Sequence, residues 1–551
     1  MPHVSESLDV EELVRAEQGL YTWLVRASTV DPNRVVARSS DGETTVEVTL
    51  AELLAKSRQL AEGLRSIEMT EGSTIAVWLP NQVEWIISQF ACAALGVAML
   101  GLNTRYRSHE VSHLLSTVPI AALIVPSEFL GIDFVGTLSE AVRHLRVTDP
   151  GYEPPSLVFV GEIPEAAMSV ASNVFRFQDL LTVGTFDEVR DFGHALSNLF
   201  TTSGSTSAPK VAGHDQASIL RHGCAGSKAL GVEIDDRMLA VLPLCGVFGY
   251  SAAMAILIGG GSLVLVESFD AEFSAQLLAD LGVTHVVGGD EMLGAIFSKI
   301  TPGTNLPKLR RGGIANFAGR AKEVVVQAQE RWGAAISGVY GSSELFALSA
   351  IWPATADVKL RGLGGGFLVD PGIHVRVGDL DTDTLVPDGE PGELQFLGYN
   401  VIDGYLNNPA ANASSFSKDG WFKTGDLGYT AHGGFVYQCR AREAMRLRGF
   451  LVEPGEIEDF LSSEPSIEEV HVVGVDTDEG TKAFAFVRAR SGSTIDEASI
   501  LGRAKSEMAG FKVPERVIEV EEFPTTTGTN GTKVRFDELR NLARTYLSDS
   551  S

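Results

Sequence analysis

Cysteine is scarce and shows no pairing pattern. Cys92, Cys224, Cys245 and Cys439 are the only four in 551 residues, and no CxxC spacing occurs. That excludes a cysteine–zinc cluster and a small disulfide scaffold, and it sets the expectation of a reduced, cytoplasmic protein. Nothing nominates one of the four as a nucleophile. Positive charge is also short: 44 Lys and Arg stand against 71 Asp and Glu, a formal charge of −27 at pH 7. A nucleic-acid partner, which needs clustered Lys and Arg against phosphates, is not expected. An acidic surface is ordinarily a solvated one, and local nucleotide binding stays open. The N-terminal stretch lacks a basic and an apolar region, so no secretory signal is expected. The longest uncharged run, Met238–Val266, is broken by Pro243 and by glycines 246, 249, 259, 260 and 261. It reads as strand 239–242, a turn, a helix near 250–258 and strand 263–266, all buried, and no membrane span is expected.

What is present is a globular composition, 44% hydrophobic and 21% charged, long enough for several domains. Thr49 and Glu52 form a capping-box pattern opening a helix to about Ile67. A short apolar strand follows at 74–79, then a helix capped by Asn81 with Glu84 and stopped near Gly96. Strands at 97–100 and 121–125 enclose a helix from Ser108. This βαβαβ order predicts parallel sheet covered by helices, and it recurs over 262–340. From about 366 to 400 short strands and turns predict a small antiparallel region. After 440 an α+β pattern is expected: helices 456–463 and 495–508, strands 470–475, 483–488 and 517–520. The predicted fold class is α/β. A large N-terminal domain of parallel αβ-layered sheets is expected over 1–439, including a β-rich subdomain at about 362–439. A small mobile α+β domain would cover 440–551.

The segment Thr202-Ser203-Gly204-Ser205-Thr206-Ser207-Ala208-Pro209-Lys210 combines hydroxyls, a glycine, a proline and a lysine. Backbone N–H groups and hydroxyls on such a turn can grip phosphates, although this is not a GxxxxGK[ST] loop. The ordered string resembles the phosphate loop of the adenylate-forming enzymes, the superfamily of acyl-CoA ligases, firefly luciferase and peptide-synthetase adenylation domains. The resemblance continues in the family's order across about 350 residues. Tyr340-Gly341-Ser342-Ser343-Glu344 resembles the adenine and metal motif: Tyr340 would offer adenine a flat face, Ser343 would touch the α-phosphate, and Glu344 would hold Mg²⁺. Gly392-Glu393-Leu394, Gly404-Tyr405 and Trp421–Leu427 follow. Asp426 matches the carboxylate that accepts both ribose hydroxyls, and Arg440 a second ribose or phosphate contact. Arg442 stands at the hinge position, where family members rotate the C-terminal domain between half-reactions. Arg446 to Phe450, with Gly449, resembles the lining of the pantetheine tunnel. Asn530-Gly531-Thr532-Lys533 resembles the loop of the catalytic lysine, Lys533. The resemblance implies ATP or AMP and acyl-AMP, Mg²⁺ and coenzyme A as ligands, and a small-molecule carboxylic acid or acyl-adenylate as substrate. A homodimer is compatible with the chain.

Four departures stand out. Cys245-Gly246, followed by Val247, replace the aromatic and His that acyl-CoA ligases usually carry beside the acyl site. Ser207 replaces a glycine of the phosphate loop. Gly312-Gly313-Ile314-Ala315-Asn316 departs from the usual adenine-edge string, and the lysine loop lacks its usual Gly-Lys pair. Glycines 246, 288, 289, 312, 313 and 338 fall in segments expected to wall the acyl pocket, and small residues there would leave volume for a bulky polycyclic or aromatic acid. The alternative is that they serve turns. The function expected is an acyl-CoA ligase working through acyl-AMP. Three alternatives stay open: an enzyme that mainly thioesterifies a pre-formed acyl-adenylate, a stand-alone enzyme loading a carrier protein, and a non-catalytic nucleotide-binding protein.

Overall fold

A computed structural model describes residues 18–40, 42–202, 209–380, 382, 384–441, 444–447, 450–452, 454–477, 480–528 and 531–548. The chain divides into two compact units, residues 1–374 with 397–416, and residues 375–396 with 417–551.

The first unit is α/β. Its strands are β1 (Val35–Ser40), β2 (Thr45–Thr49), β3 (Thr74–Val77), β4 (Ala98–Gly101), β5 (Ala122–Pro126), β6 (Ser156–Val160), β7 (Val174–Arg176), β8 (Leu196–Thr201), β9 (Val211–Asp215), β10 (Arg237–Ala240), β11 (Ser262–Leu265), β12 (His285–Gly289), β13 (Arg311–Ala315), β14 (Ala335–Tyr340), β15 (Ala350–Ile351) and β16 (Gly365–Leu368). One sheet runs β7-β6-β5-β3-β4-β8-β9, parallel except for the β8–β9 edge. The other contains the run β16-β15-β14-β13-β12-β10-β11-β1-β2, parallel from β14 to β1. β3, β4 and β5 are buried along their whole length, as short apolar strands covered on both faces must be.

The local signals act as their chemistry dictates. Helix Leu50–Ser66 opens on a capping box: Glu52 N–H donates to Thr49 Oγ1 at 3.3 Å, and Thr49 N–H to Glu52 Oε2 at 2.8 Å. Helix Val83–Leu95 ends at Gly96, whose φ of 67° is the left-handed conformation that a glycine stop supplies. Met238–Val266 contains the end of β10, the buried helix Val247–Ile258 and β11. No described helix is long and apolar enough to cross a membrane.

Asn81 corrects one expectation. The helix it should cap begins after Gln82, with no side-chain cap. Asn81, 4% exposed, instead donates to the carbonyls of Ala240 and Leu242, each at 2.9 Å, and its Oδ1 accepts from Leu244 N–H at 2.8 Å. It thereby ties the end of β3 in one sheet to the end of β10 in the other.

Three imidazoles are sunk into this unit. His214 on β9, His222 on helix Gln216–Leu230 and His285 on β12 are buried, and burial pushes each down to about 4. Each is neutral at pH 7, with Nε2 placed to donate to a carbonyl: Ser343 O at 2.8 Å, Ala347 O at 3.1 Å and Leu230 O at 3.1 Å respectively.

In the second unit β17 (Ile373–Gly378), β18 (Gly392–Gly398), β19 (Phe422–Ala431) and β20 (Gly434–Arg440) lie side by side, antiparallel from β18 to β20. Beyond them come the hairpin β21 (Met445–Leu447) with β22 (Phe450–Val452), and a sheet of β23 (Ile467–Thr477), β24 (Gly480–Ala489) and β25 (Arg516–Glu519). The hairpin β26 (Thr525–Gly528) with β27 (Gly531–Val534) precedes helix Phe536–Ser548. Val472, Ala485, Val487, Ile457 and Ile500 form the core under β23–β25.

Two outcomes follow. Asn81→Ala removes the buried partner of Leu244 N–H and of the Leu242 carbonyl, while Ala240 O keeps Val266 N–H at 3.3 Å; the urea midpoint should fall by the equivalent of about 2 kcal/mol with the m-value unchanged. For the histidines, folded values near 4 lie below the unfolded value of 6.5. Their contribution is therefore complete above pH 6.5 and is lost as pH falls toward 4. Each should add about one proton taken up on unfolding near pH 5.3, a slope of about 1.4 kcal/mol per pH unit. His222→Asn should flatten the urea stability–pH slope by about that amount; an unchanged slope would contradict a buried neutral imidazole.

Candidate active site

The hydroxyl-rich loop lies between β8 and β9. Ser203, Gly204, Ser205, Thr206, Ser207 and Ala208 lie outside the described residues, but both ends of the loop are set. Thr202 N–H donates to Lys210 O at 2.9 Å, closing the loop at its base. On one side Tyr106 OH and Thr201 Oγ1 lie 2.8 Å apart; on the other His113 Nε2 reaches Pro209 O at 3.0 Å. Neither Tyr106 nor His113 carries a local sequence signal for this work.

The second element is the turn after β14. Tyr340 is the last, buried residue of that strand. The chain then folds back so tightly that a Cβ on Gly341 would stand 2.5 Å from the Ala347 carbonyl carbon. Glycine is required there by close approach. Phe346, Ala347 and Leu348 all have positive φ, 56°, 48° and 33°, a run that costs free energy at each residue unless its surroundings hold it. They do so by capturing carbonyls. His214 takes Ser343 O, Ile402 N–H takes Glu344 O at 3.0 Å, Asn400 Nδ2 takes Leu345 O at 2.9 Å, and His222 takes Ala347 O. Ser349 Oγ adds bonds to Leu345 O and Ala347 O. The Phe346 ring packs edge-on against both imidazoles and against Tyr250.

That bracing presents Glu344. Its Oε1 accepts from Tyr405 OH at 2.7 Å. Lys210 lies over the same tyrosine, with Nζ 4.1 Å from the ring centroid. Among the described residues the buried hydroxyls of Thr202 and Ser342 have no hydrogen-bond partner. Such donors, beside an ammonium and a carboxylate, fit a polyphosphate and its hard cation. Among the described residues no cluster of three or more His, Cys, Asp or Glu could cage a metal. Mg²⁺ is ordinarily held by one or two carboxylates together with ligand oxygens.

In the second unit Asp426 opposes Arg440 across β19 and β20, and Arg440 NH1 lies 2.9 Å from Asp426 Oδ1. Asp426 N–H donates to Thr424 Oγ1 at 3.0 Å, and Thr424 Oγ1 donates to Leu394 O at 2.6 Å. Gly425, with φ 69°, gives its N–H to Glu393 Oε1 at 3.0 Å. A glycine-permitted corner thus sets the carboxylate. Arg442, Arg448, Gly449 and Asn530 lie outside the described residues. The backbone of Arg446 lies in β21 opposite Leu451, and that of Lys533 in β27 opposite Thr526; the side chains of Arg446 and Lys533 are outside the description. Lys533 is thus the third residue of β27.

The glycine-rich walls answer to packing. A Cβ at Gly312 would meet Val286 O at 2.3 Å, one at Gly338 would meet Leu363 O at 1.9 Å, and one at Gly313 would meet Val339 Cγ1 at 3.0 Å. At Gly312 and Gly338 the missing side chain is replaced by backbone, so neither opens volume to a ligand, and the volume argument fails at both. Gly246 precedes helix Val247–Ile258 and passes its carbonyl to Tyr250 N–H at 3.0 Å. Cys245 and Val247 are buried, and burial pushes the Cys245 thiol up to about 12, which keeps it protonated at pH 7.

Residues 24–406 match the AMP-binding enzyme family, and residues 456–529 the AMP-binding enzyme C-terminal domain. The chain is 27% identical over 503 residues to a 3-[(3aS,4S,7aS)-7a-methyl-1,5-dioxo-octahydro-1H-inden-4-yl]propanoyl:CoA ligase of Rhodococcus jostii, covering 88% of this chain and 92% of that one. It is 28% identical to an indoleacetate–CoA ligase of Aromatoleum aromaticum over 538 residues, 96% of this chain and all of the relative. Its fold is similar to that of ATP-bound MatB from Rhodopseudomonas palustris, with a TM-score of 0.80 at 23% identity over 96% and 99% of the two chains. Because the match takes in most of the chain, with the braced turn and both loop ends inside it, the chain belongs to the AMP-binding enzymes, the adenylate-forming superfamily that the order of its motifs resembles.

Proposed function

We propose that the chain is an AMP-forming acyl-CoA ligase, and that the observation carrying this is the Glu344 carboxylate set on a braced turn beside Tyr405 and Lys210. In the first half-reaction a substrate carboxylate oxygen attacks the α-phosphorus of ATP. A P–O bond to acyl-AMP forms, the α–β bridging bond breaks, and pyrophosphate leaves. Lys210, the loop hydroxyls and Ser343 bind and orient the phosphates, and Asp426 with Arg440 holds the ribose. Mg²⁺, held by Glu344 and phosphate oxygens, would supply charge neutralisation. Lys533 would offset charge where carboxylate and α-phosphate meet. In the second half-reaction the CoA sulfur attacks the acyl carbonyl, the acyl–oxygen bond breaks, AMP leaves, and the thiol proton passes to solvent. Arg446 and Gly449 would line the thiol's approach, and Arg442 would be the pivot for domain rotation.

A bulky ring-bearing acid is the substrate class we favour. Its support is Gly246, a residue without a side chain where an imidazole is usual, and the two relatives named for bicyclic and indole acids. A second reading follows from the same residue. Without an imidazole to manage the substrate carboxylate, adenylation is the weaker half, and the enzyme works mainly on a pre-formed acyl-adenylate.

Two assays separate these readings: acid-dependent pyrophosphate exchange, and thioester formation from synthetic acyl-adenylate with CoA. The ligase reading expects both. Thioester without exchange selects the second reading, transfer to a carrier protein and not to CoA selects a loading enzyme, and nucleotide binding with neither activity rejects catalysis. Lys533→Ala should lower exchange by about 100-fold and thioester formation by less than tenfold; equal losses would remove Lys533 from the adenylation step.

A further inference from the structure

Tyr405 is buried, 5% exposed, yet each end of its side chain serves a charged group. The hydroxyl donates to Glu344 Oε1 at 2.7 Å, and the ring face carries the Lys210 ammonium at 4.1 Å from its centroid. Lys210 and Glu344 have opposite charge and share this one ring, and still no ion pair joins them among the described residues.

The tyrosine is fixed before it fixes anything else. Asn412 Oδ1 accepts Tyr405 N–H at 2.6 Å, and Asn412 Nδ2 donates to Tyr405 O at 3.0 Å. A Cβ on the preceding Gly404 would collide with that amide at 2.9 Å. Asn412 belongs to helix Pro409–Ser415, which is itself capped by Asn408 through Ala411 N–H at 3.1 Å. On the other side Tyr405 bridges Ala212 of β9, two residues beyond Lys210.

We propose that Tyr405 is a positioning residue that holds Lys210 and Glu344 apart and aimed until a nucleotide polyphosphate with its divalent cation takes both. A direct Lys–Glu pair in a partly dry site would have to be broken before either group could serve the ligand. A cation–π contact is the weaker attachment for the ammonium, and a phenolic donor leaves the carboxylate its charge and its second oxygen. The ring therefore stores two opposite charges next to each other without letting them cancel. The inference rests on the reading that Lys210 and Glu344 face phosphates and metal.

The test measures binding directly. Mn²⁺ affinity is followed by electron paramagnetic resonance in the presence of α,β-methylene-ATP, and AMP affinity by calorimetry. Tyr405→Phe keeps the ring and removes the hydroxyl; Tyr405→Leu removes both. The first should weaken Mn²⁺ binding about tenfold while AMP affinity stays within twofold, and the second should weaken it further. In exchange assays the Tyr405→Phe KM for metal–ATP should rise more than kcat falls. In a Glu344→Ala background Tyr405→Phe should add nothing, because the acceptor of its hydroxyl is gone. Unchanged Mn²⁺ affinity, equal losses for AMP and the ATP analogue, or additive losses in the double variant would each overturn the role. A wild-type protein that binds neither nucleotide would instead overturn the ligase reading beneath it.

Discussion

Backbone carbonyls that leave regular structure inside a protein need donors, and the turn after β14 is built around that need. Its backbone passes through three consecutive left-handed residues, a path that local preference opposes. Donors arrive from β9, from helix Gln216–Leu230, from Ser349 and from the Asn400–Ile402 segment. Their combined hold fixes where Glu344 points. The two imidazoles suit this task because they are neutral: a charged ring in the same place would bring an uncompensated ion into the core.

Glycine contributes by letting backbone approach backbone. Gly341 admits Ala347, Gly338 admits Leu363 and Gly312 admits Val286. Of these, the Gly341 approach is the one that lets the turn fold back on itself. A wall of small residues therefore has two meanings, room for a ligand or room for another strand, and only the neighbours decide between them.

Much of the fold was legible because its signals are local. The Thr49–Glu52 box, the Gly96 stop and the short apolar strands each carry their instruction within a few residues. The uncharged 238–266 run was readable because Pro243 and its glycines divide it. Asn81 misled for the opposite reason. Its sequence neighbourhood suits a cap, but its partners lie some 160 residues away, and no local pattern records them. The candidate site shows the same split. Glu344, Asp426 and the loop residues stand in motifs, whereas Tyr106 meets the hydroxyl of distant Thr201, and His113, His214 and His222 act through carbonyls of distant segments. Tyr405 was visible within a motif, but its task between Lys210 and Glu344 exists only after folding.

The order in which the chain is made gives β1 an unusual history. It leaves the ribosome well before its parallel partner β11, with Ala37 set against Leu263. The sheet of β3 to β9 can assemble while β1 waits with its hydrogen-bonding edge unfilled. Asn81 waits in the same way for carbonyls at residues 240 and 242. A nascent chain released short of residue 265 would thus carry a nearly complete sheet together with an open strand edge and an unsatisfied amide. Those are the features by which unfinished chains pair with one another, so the interval of synthesis between these points is where this fold has most need of protection from its own copies.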